Sequence, residues 1–361
     1  DADSGEDKVE KKAREEYGEV THASVLKIAR AYEEQFIADS DLLNILPPDA
    51  RPRASEFVDR MKTMIEDLLQ KGIAYVTDDG IYYDVSRFPQ YGALSGNKVT
   101  EVKSGARVEV DTTKRHPADF ALWKYCVGPN SHHALRWPSP RLASGQQSPD
   151  GFPGWHIECS AMSSSLLGNQ IDLHTGGEDN IFPHHECEIA QSEACTGLRP
   201  FVRMWVHKRR IDLLGEKMSK SKGNIVSVSE ITERGFSPLD LRYYLLSVHY
   251  RTNLKFSWEG IEEARKARRK IGEWMGEVGK RSEIRSQKSE VSAGLRPAAR
   301  SSEVSNEPQI GRFAARFTEA MDGDLNTPAS LAVIHECMTW WNRLTDEDKS
   351  IHASQIAPFV S

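Results

Sequence analysis

Apolar residues recur at helical spacing in several stretches and alternate like a strand in only a few. Over residues 6–43 the apolar positions Val25, Ile28, Ala29, Tyr32 and Phe36 predict a helix, which Leu-Pro-Pro-Asp at 46–49 ends because proline cannot continue it. Ser55 is placed to cap a second helix with the stripe Val58, Met61, Met64, Ile65, Leu68 and Leu69, stopped by Gly72. The run IAYVTDDGIYYDV then reads as a β-hairpin around Asp-Asp-Gly. Residues 86–150 show no clear period. Within them and just beyond, PSPRLASGQQSPDGFP (138–153) is rich in proline, serine and glycine and predicts a long loop. From residue 154 order returns: QIDLHTGG predicts a buried strand, FPHHECEIAQSEA a helix, and FVRMWVHKRRIDLL another strand. Strand, helix and strand in that order predict a parallel α/β unit. Beyond Pro238 the pattern is helical, with a polar, low-complexity stretch at 281–309 that predicts a disordered linker. No internal repeat is visible.

Composition narrows the class. With 361 residues, 39% of them hydrophobic and 28% charged, the chain is long enough for two or three domains. No apolar run approaches the ~20 residues of a membrane helix, and the charged opening DADSGEDKVEKKAREE is not a secretory signal. A net charge of −6 gives no general signal for nucleic-acid binding, although a local basic face is compatible with it. Five scattered cysteines, an odd number, point away from a disulfide scaffold and toward a reducing compartment.

Several stretches carry candidate chemistry. In FPHHECEIAQSE, His184 and Glu188 lie four apart, on one helix face, and could hold zinc with Cys159 from GWHIECSAM. A surface His–Glu pair explains the same spacing, and a buried small hydrophobe explains Cys159. His185 and Cys187 are rival ligands but are expected to face other directions. In LHTGGEDN, Gly176 and Gly177 would let a ligand approach the backbone and Asp179 could hold a ribose, though a simple turn is the commoner use of such residues. The loop GEKMSKSKGN sets Lys217, Lys220 and Lys222 among serines and glycines, as a phosphate cradle or a solvated turn. The basic run ARKARRK at 264–270 could meet nucleic-acid phosphates, or be a solvated helix face.

Taken together and in order, GWHIECSAM, DLHTGGEDNIFPHHECEIAQSE, WVHKRR and KMSKSKGN closely resemble cysteinyl-tRNA synthetases. So do FPQYGALSG and VEVDTTKRHPADFALWK upstream, and LRYYLLSVHYRTNLKFS and AMDGDLNTPASLAV downstream. The resemblance spans nearly the whole chain, except 141–150 and 281–309. It implies an α/β fold: a partial Rossmann-type class I catalytic domain carrying an α+β insertion, then an α-helical region that contacts tRNA. The expected divisions are 1–72, the remainder of the first Rossmann half; 73–153, the insertion; 154–235, the second half; and 236–361, the helical part. The implied reaction activates cysteine with ATP and Mg²⁺ to cysteinyl-adenylate and transfers it to tRNA(Cys). By resemblance, Cys159, His184 and Glu188 match three of the family's four zinc ligands. Lys217 and Lys220 belong to the catalytic signature loop, with Lys220 the main ATP phosphate contact. Gly176, Gly177 and Asp179 match the nucleotide-side motif, and Trp155 and Trp205 lie in motifs near the substrate pocket. Lysines there would neutralise the charge that develops on the leaving pyrophosphate. Zinc would favour sulfur over serine's oxygen.

The chain also departs from the family pattern. It contains no His-x-Gly-His signature and lacks the family's first zinc-binding cysteine. It therefore reads as an N-terminally truncated fragment, expected to bind zinc weakly and to activate cysteine poorly by itself. About ten additional residues occupy 141–150, and the end at Ser361 comes early, so the anticodon-reading part is expected to be incomplete. The expected setting is cytoplasmic, or an organelle, with the protein working as a monomer. Two alternatives are the cysteine–amino-sugar ligase of mycothiol synthesis and a non-catalytic tRNA- or protein-binding derivative of the same scaffold.

Overall fold

The computed structural model describes residues 7–97, 113–213, 215–218, 223–292 and 307–360. The chain forms two compact units, one of residues 1–41 and 46–208, the other of 42–45 and 209–361.

In the first unit the expected 6–43 helix is two helices, α1 (Lys8–Tyr17) and α2 (His22–Leu42). Gly18 takes a left-handed φ of 72° and donates to Arg14 O, which ends α1. Of the expected stripe, Val25 and Ile28 are buried, but Tyr32 and Phe36 are 55% and 65% exposed. Helix α3 (Val58–Gln70) buries Met61, Met64, Ile65 and Leu68 as its period requires. Ser55 does not cap it: Ser55 lies in a short 3₁₀ turn, Ala54–Glu56, and the N-cap is Phe57, whose side chain accepts nothing. Gly72, at a positive φ, follows the helix, and Ile73 N–H closes the end on Leu68 O.

Four antiparallel strands follow in the order β1 (Ala74–Val76), β2 (Gly80–Tyr83), β3 (Phe120–Tyr125) and β4 (Gly151–Pro153). The hairpin expected at 73–85 is β1–β2, with Ala74 opposite Tyr83. Strand β3 crosses the stretch expected to be irregular, and β4 ends the stretch expected to be loop. Residues 139–148 are tied down: Ser139 accepts from Trp123 Nε1, Arg141 N–H donates to Glu66, and Tyr125 donates to Ser148. Ile81, Leu122 and Trp123 are fully buried and pack with α3, with Ile157 of α4 (Trp155–Leu166) and with Cys187 and Ala190 of α5 (Glu186–Thr196).

Strands β5 (Ile171–Gly177) and β6 (Val202–Lys208) pair in parallel around α5, which gives the expected α/β unit. The strand at 171–177 is not buried as expected. Only Ile171 and Val202 at the start of the pair are fully covered, His174, Trp205 and His207 are half-buried, and Leu173 and Met204 are 51% and 62% exposed.

In the second unit β7 (Ile211–Leu213) pairs antiparallel with β8 (Glu216–Lys217) and parallel with β9 (Leu254–Phe256). Helices α6 (Val228–Glu233) and α7 (Pro238–Leu246) follow, α7 opened by a capping box between Ser237 and Asp240. Helix α8 runs Trp258–Ser292, so 281–292 is helical where a disordered linker is expected; 293–306 lie outside the described residues. Helices α9 (Glu307–Asp322), α10 (Thr327–Asn342) and α11 (Asp346–Val360) pack with α8 around Trp274, Cys337 and Trp341. Part of the basic run turns inward: Arg268 Nε donates to buried Asp240 at 2.6 Å, and the Arg265 guanidinium lies over Phe236. Arg269 and Lys270 are exposed.

Candidate metal and substrate site

Five segments of the first unit deliver the candidate site. Gly154 caps α4; a Cβ there would lie 2.1 Å from Ala121 O, so only glycine lets α4 start this close to β3. Trp155, His156 and Cys159 follow on its first two turns. Strand β5 supplies His174 and, near its end, Gly176, where a Cβ would strike the His185 ring at 2.6 Å. The kinked π-helical segment Ile181–His185 leads into α5 and supplies His184 and His185, and α5 itself supplies Glu188. Strand β6 supplies Trp205 and His207.

Cys159, His184 and Glu188 come together with their ligand atoms within 4.8 Å of one another. His184 Nε2 lies 2.9 Å from Glu188 Oε1. Glu188 is fully buried, and neither of its oxygens accepts a well-formed hydrogen bond. A buried carboxylate in that condition is costly unless a cation compensates it. Sulfur, nitrogen and carboxylate converging on one point is a donor set that suits zinc. Burial, with the Glu188 and Glu158 carboxylates, pushes the Cys159 thiol up to about 12, and a metal cation would reverse that. Burial, then neighbouring His184, lowers His156 to about 3 and keeps it neutral. Its Nδ1 sits 2.8 Å from His184 Nδ1, a contact that fixes the His184 ring and turns Nε2 toward Glu188.

His185 does not face away as expected. With His174 and the same Glu188 it forms a second group within 4.8 Å. His174 Nε2 is 3.6 Å from Glu188 Oε2, and His185 Nδ1 is 2.8 Å from His207 Nε2. Burial, and the imidazoles of His174, His207 and His184, lower His185 to about 3. Cys187, the other rival, points into the core beside Tyr91.

Trp155 stacks on His184 with ring centroids 4.3 Å apart, and Trp205 lies 4.8 and 4.7 Å from His174 and His185. The two tryptophans therefore flank the imidazole cluster. Gly177 has open space where a Cβ would be, and Asp179 lies exposed in the short turn Glu178–Asn180. Lys217 belongs to the second unit, its backbone paired with Asp212 in β8–β7; Lys220 and Lys222 lie outside the described residues. The motif reading missed His156, His174 and His207. Each stood inside a quoted motif (GWHIEC, DLHTGG, WVHK), but no spacing between them announced that they would meet.

Residues 3–266 match the family described as tRNA synthetases class I (C) catalytic domain, and residues 316–358 match a DALR domain. A cysteine–tRNA ligase of Thermus thermophilus is 39% identical over 97% of the chain and 66% of the relative. That of Alkalilimnicola ehrlichii is 41% identical over 97% and 67%. The chain thus spans about two thirds of the length of the curated relatives it matches. Among solved structures, Mycobacterium tuberculosis methionyl-tRNA synthetase with methionyl-adenylate superposes with a TM-score of 0.58 at 15% identity, over 93% of this chain and 78% of that one; this likeness speaks for the fold alone. With most of its length inside the catalytic-domain family and relatives about two-fifths identical, the chain belongs to the class I (C) tRNA synthetases.

Proposed function

We infer that the chain serves the ATP-dependent activation of cysteine and its attachment to tRNA(Cys), as the names of its relatives suggest. One observation carries the reading: a cysteine, a histidine and a fully buried, hydrogen-bond-starved glutamate converge beside two tryptophans. Cys159, His184 and Glu188 would hold Zn²⁺, which when bound supplies a soft electrophilic partner for a thiol and a poor one for a hydroxyl. Trp155 and Trp205 would wall the pocket and exclude water. His156 holds the ring of His184. Gly177, with open space at its Cβ position, would let nucleotide phosphates and ribose approach the backbone, Gly176 makes room for the His185 ring, and Asp179 would accept from the ribose hydroxyls. Lys217 and Lys220 would neutralise the pyrophosphate as it leaves, with Mg²⁺ sharing that charge. The DALR match and the exposed Arg269 and Lys270 support tRNA as the acceptor.

The test is spectroscopic. Co²⁺ added to the chain should give a thiolate charge-transfer band that Cys159→Ala abolishes. Free cysteine should change that band, and serine at the same concentration should not. An equal response to serine would remove the amino-acid assignment; no Cys159-dependent band would remove the metal.

A further inference from the structure

Two carboxylates stand two residues apart at the start of α5, both buried, and their surroundings differ. Glu188 has no well-formed hydrogen bond. Glu186 is fully satisfied without a cation: its Oε2 accepts from Gly92 N–H at 3.0 Å and its Oε1 from Ser95 N–H at 2.6 Å. Among the described residues no lysine or arginine pairs with it. The partners belong to the segment 88–97, more than ninety residues away in sequence. The same segment holds the start of α5 at two more points: Tyr91 OH meets Cys187 Sγ at 3.3 Å, and the Tyr91 ring lies edge-on to Phe182. Gly92 makes the turn possible. Its φ is 96°, and a Cβ there would fall 1.9 Å from Asn97 O. The first turn of α5 is thus clamped on one side by the strap 91–95 and presents Glu188, with His184 just before it, on the other.

We propose that Glu186 is the positioning residue of the metal centre: by holding the strap through two charge-assisted hydrogen bonds, it fixes the helix turn on which His184 and Glu188 converge with Cys159. The two carboxylates divide the labour. Glu186 spends its charge on backbone amides, which leaves Glu188 free for a cation. Because the imidazole and carboxylate must meet the ion within a few tenths of an ångström, a turn released on its far side loses affinity even when it stays helical. The proposal rests on the assignment of Cys159, His184 and Glu188 as a metal site.

The test is Zn²⁺ affinity of the full chain, measured by competition with a chromogenic chelator, beside thermal unfolding. Glu186→Ala should weaken Zn²⁺ binding by about 10–100-fold, as loss of outer-shell support does. Glu186→Gln, which keeps one acceptor, should lose less. Ser95→Pro removes an amide from the strap and leaves Glu186 in place, and should weaken binding in the same direction. Glu66→Ala is the control: Glu66 also accepts from a distant backbone amide, that of Arg141, so it should lower the unfolding temperature without changing Zn²⁺ affinity. Glu186→Ala that binds Zn²⁺ like the parent while still folded would overturn the proposal, as would an equal loss in Glu66→Ala. If the parent chain takes up no Zn²⁺, the metal assignment itself fails, a different result from parent binding that the variants leave unchanged.

Discussion

The first unit contains two small sheets with opposite characters. The β1–β4 sheet is closed: Ile81, Tyr82, Tyr83, Leu122 and Trp123 are fully buried, and polar side chains tie its edge. The β5–β6 pair is open, with Leu173 and Met204 largely exposed on one face and an imidazole cluster held by α5 on the other. Parallel strands are ordinarily covered on both faces, so this pair is unusual in carrying its chemistry on a covered face while the other stays bare. The contrast separates two jobs. The closed sheet supplies stability and a rigid back wall for α4 and α5. The open pair supplies His174, Trp205 and His207, beside the Cys159–His184–Glu188 group that α4, the 181–185 segment and α5 provide.

The contrast makes graded predictions. Trp123→Ala should do the most damage, about 3–5 kcal/mol of unfolding free energy, because it empties the centre of the closed sheet; chemical denaturation measures it. A loss under about 1 kcal/mol, the ordinary cost of a point substitution, would mean that the sheet is not the stabilising element. Next comes the polar edge. Burial alone would raise the Asp79 carboxyl, but hydrogen bonds from Thr77, Lys124 and Tyr82 outweigh it and hold its pKa at about 2, against an ordinary 3.8. A carboxylate lowered on folding stabilises the protein above its unfolded pKa, and that contribution fades as pH falls from about 4 to about 2. Asp79→Asn should therefore cost about 1 kcal/mol near neutrality and flatten the pH dependence of stability in that window. An unchanged acid limb would assign the pH dependence to other carboxylates. Met204→Ser should have the smallest effect, within about 0.5 kcal/mol, since that face is already solvated. A loss of several kcal/mol would show that the open face is covered in solution.

The closed sheet and the open pair are also legible to different degrees in the sequence. Helix α3 is readable because one face is buried and the other is not, which writes a period into Val58, Met61, Ile65 and Leu68. Strand β3 is not, because FALWKY is buried on both faces and shows no alternation. Strand β4 is three residues whose pairing with β3 makes it a strand. QIDL is readable as a strand, but its apolar positions Ile171 and Leu173 do not say whether anything covers them: the first is buried and the second exposed. The break at Gly18 is available in principle, since glycine is the usual residue in a left-handed helix stop. In the site, His184 and Glu188 are readable from helical spacing. Cys159 needs the α4–α5 packing, and the remaining imidazoles need the parallel register that sets His174 beside Trp205 and Gly176 beside His207. Glu186 is hidden most completely, because its partners are backbone amides, and sequence does not record where an amide points.

The proposed metal site turns on one buried carboxylate, Glu188, whose oxygens accept no well-formed hydrogen bond. Glu188→Gln keeps the shape and removes the charge, so the most direct measurement is Zn²⁺ affinity of Glu188→Gln against the parent, with unfolding followed on the metal-free proteins. The account predicts at least about 100-fold weaker Zn²⁺ binding and a metal-free protein as stable as the parent or more so, because an uncompensated buried charge has been removed. Unchanged Zn²⁺ binding, with a metal-free protein that unfolds more easily, would show that Glu188 is held by its imidazole neighbours as structure and is not a ligand.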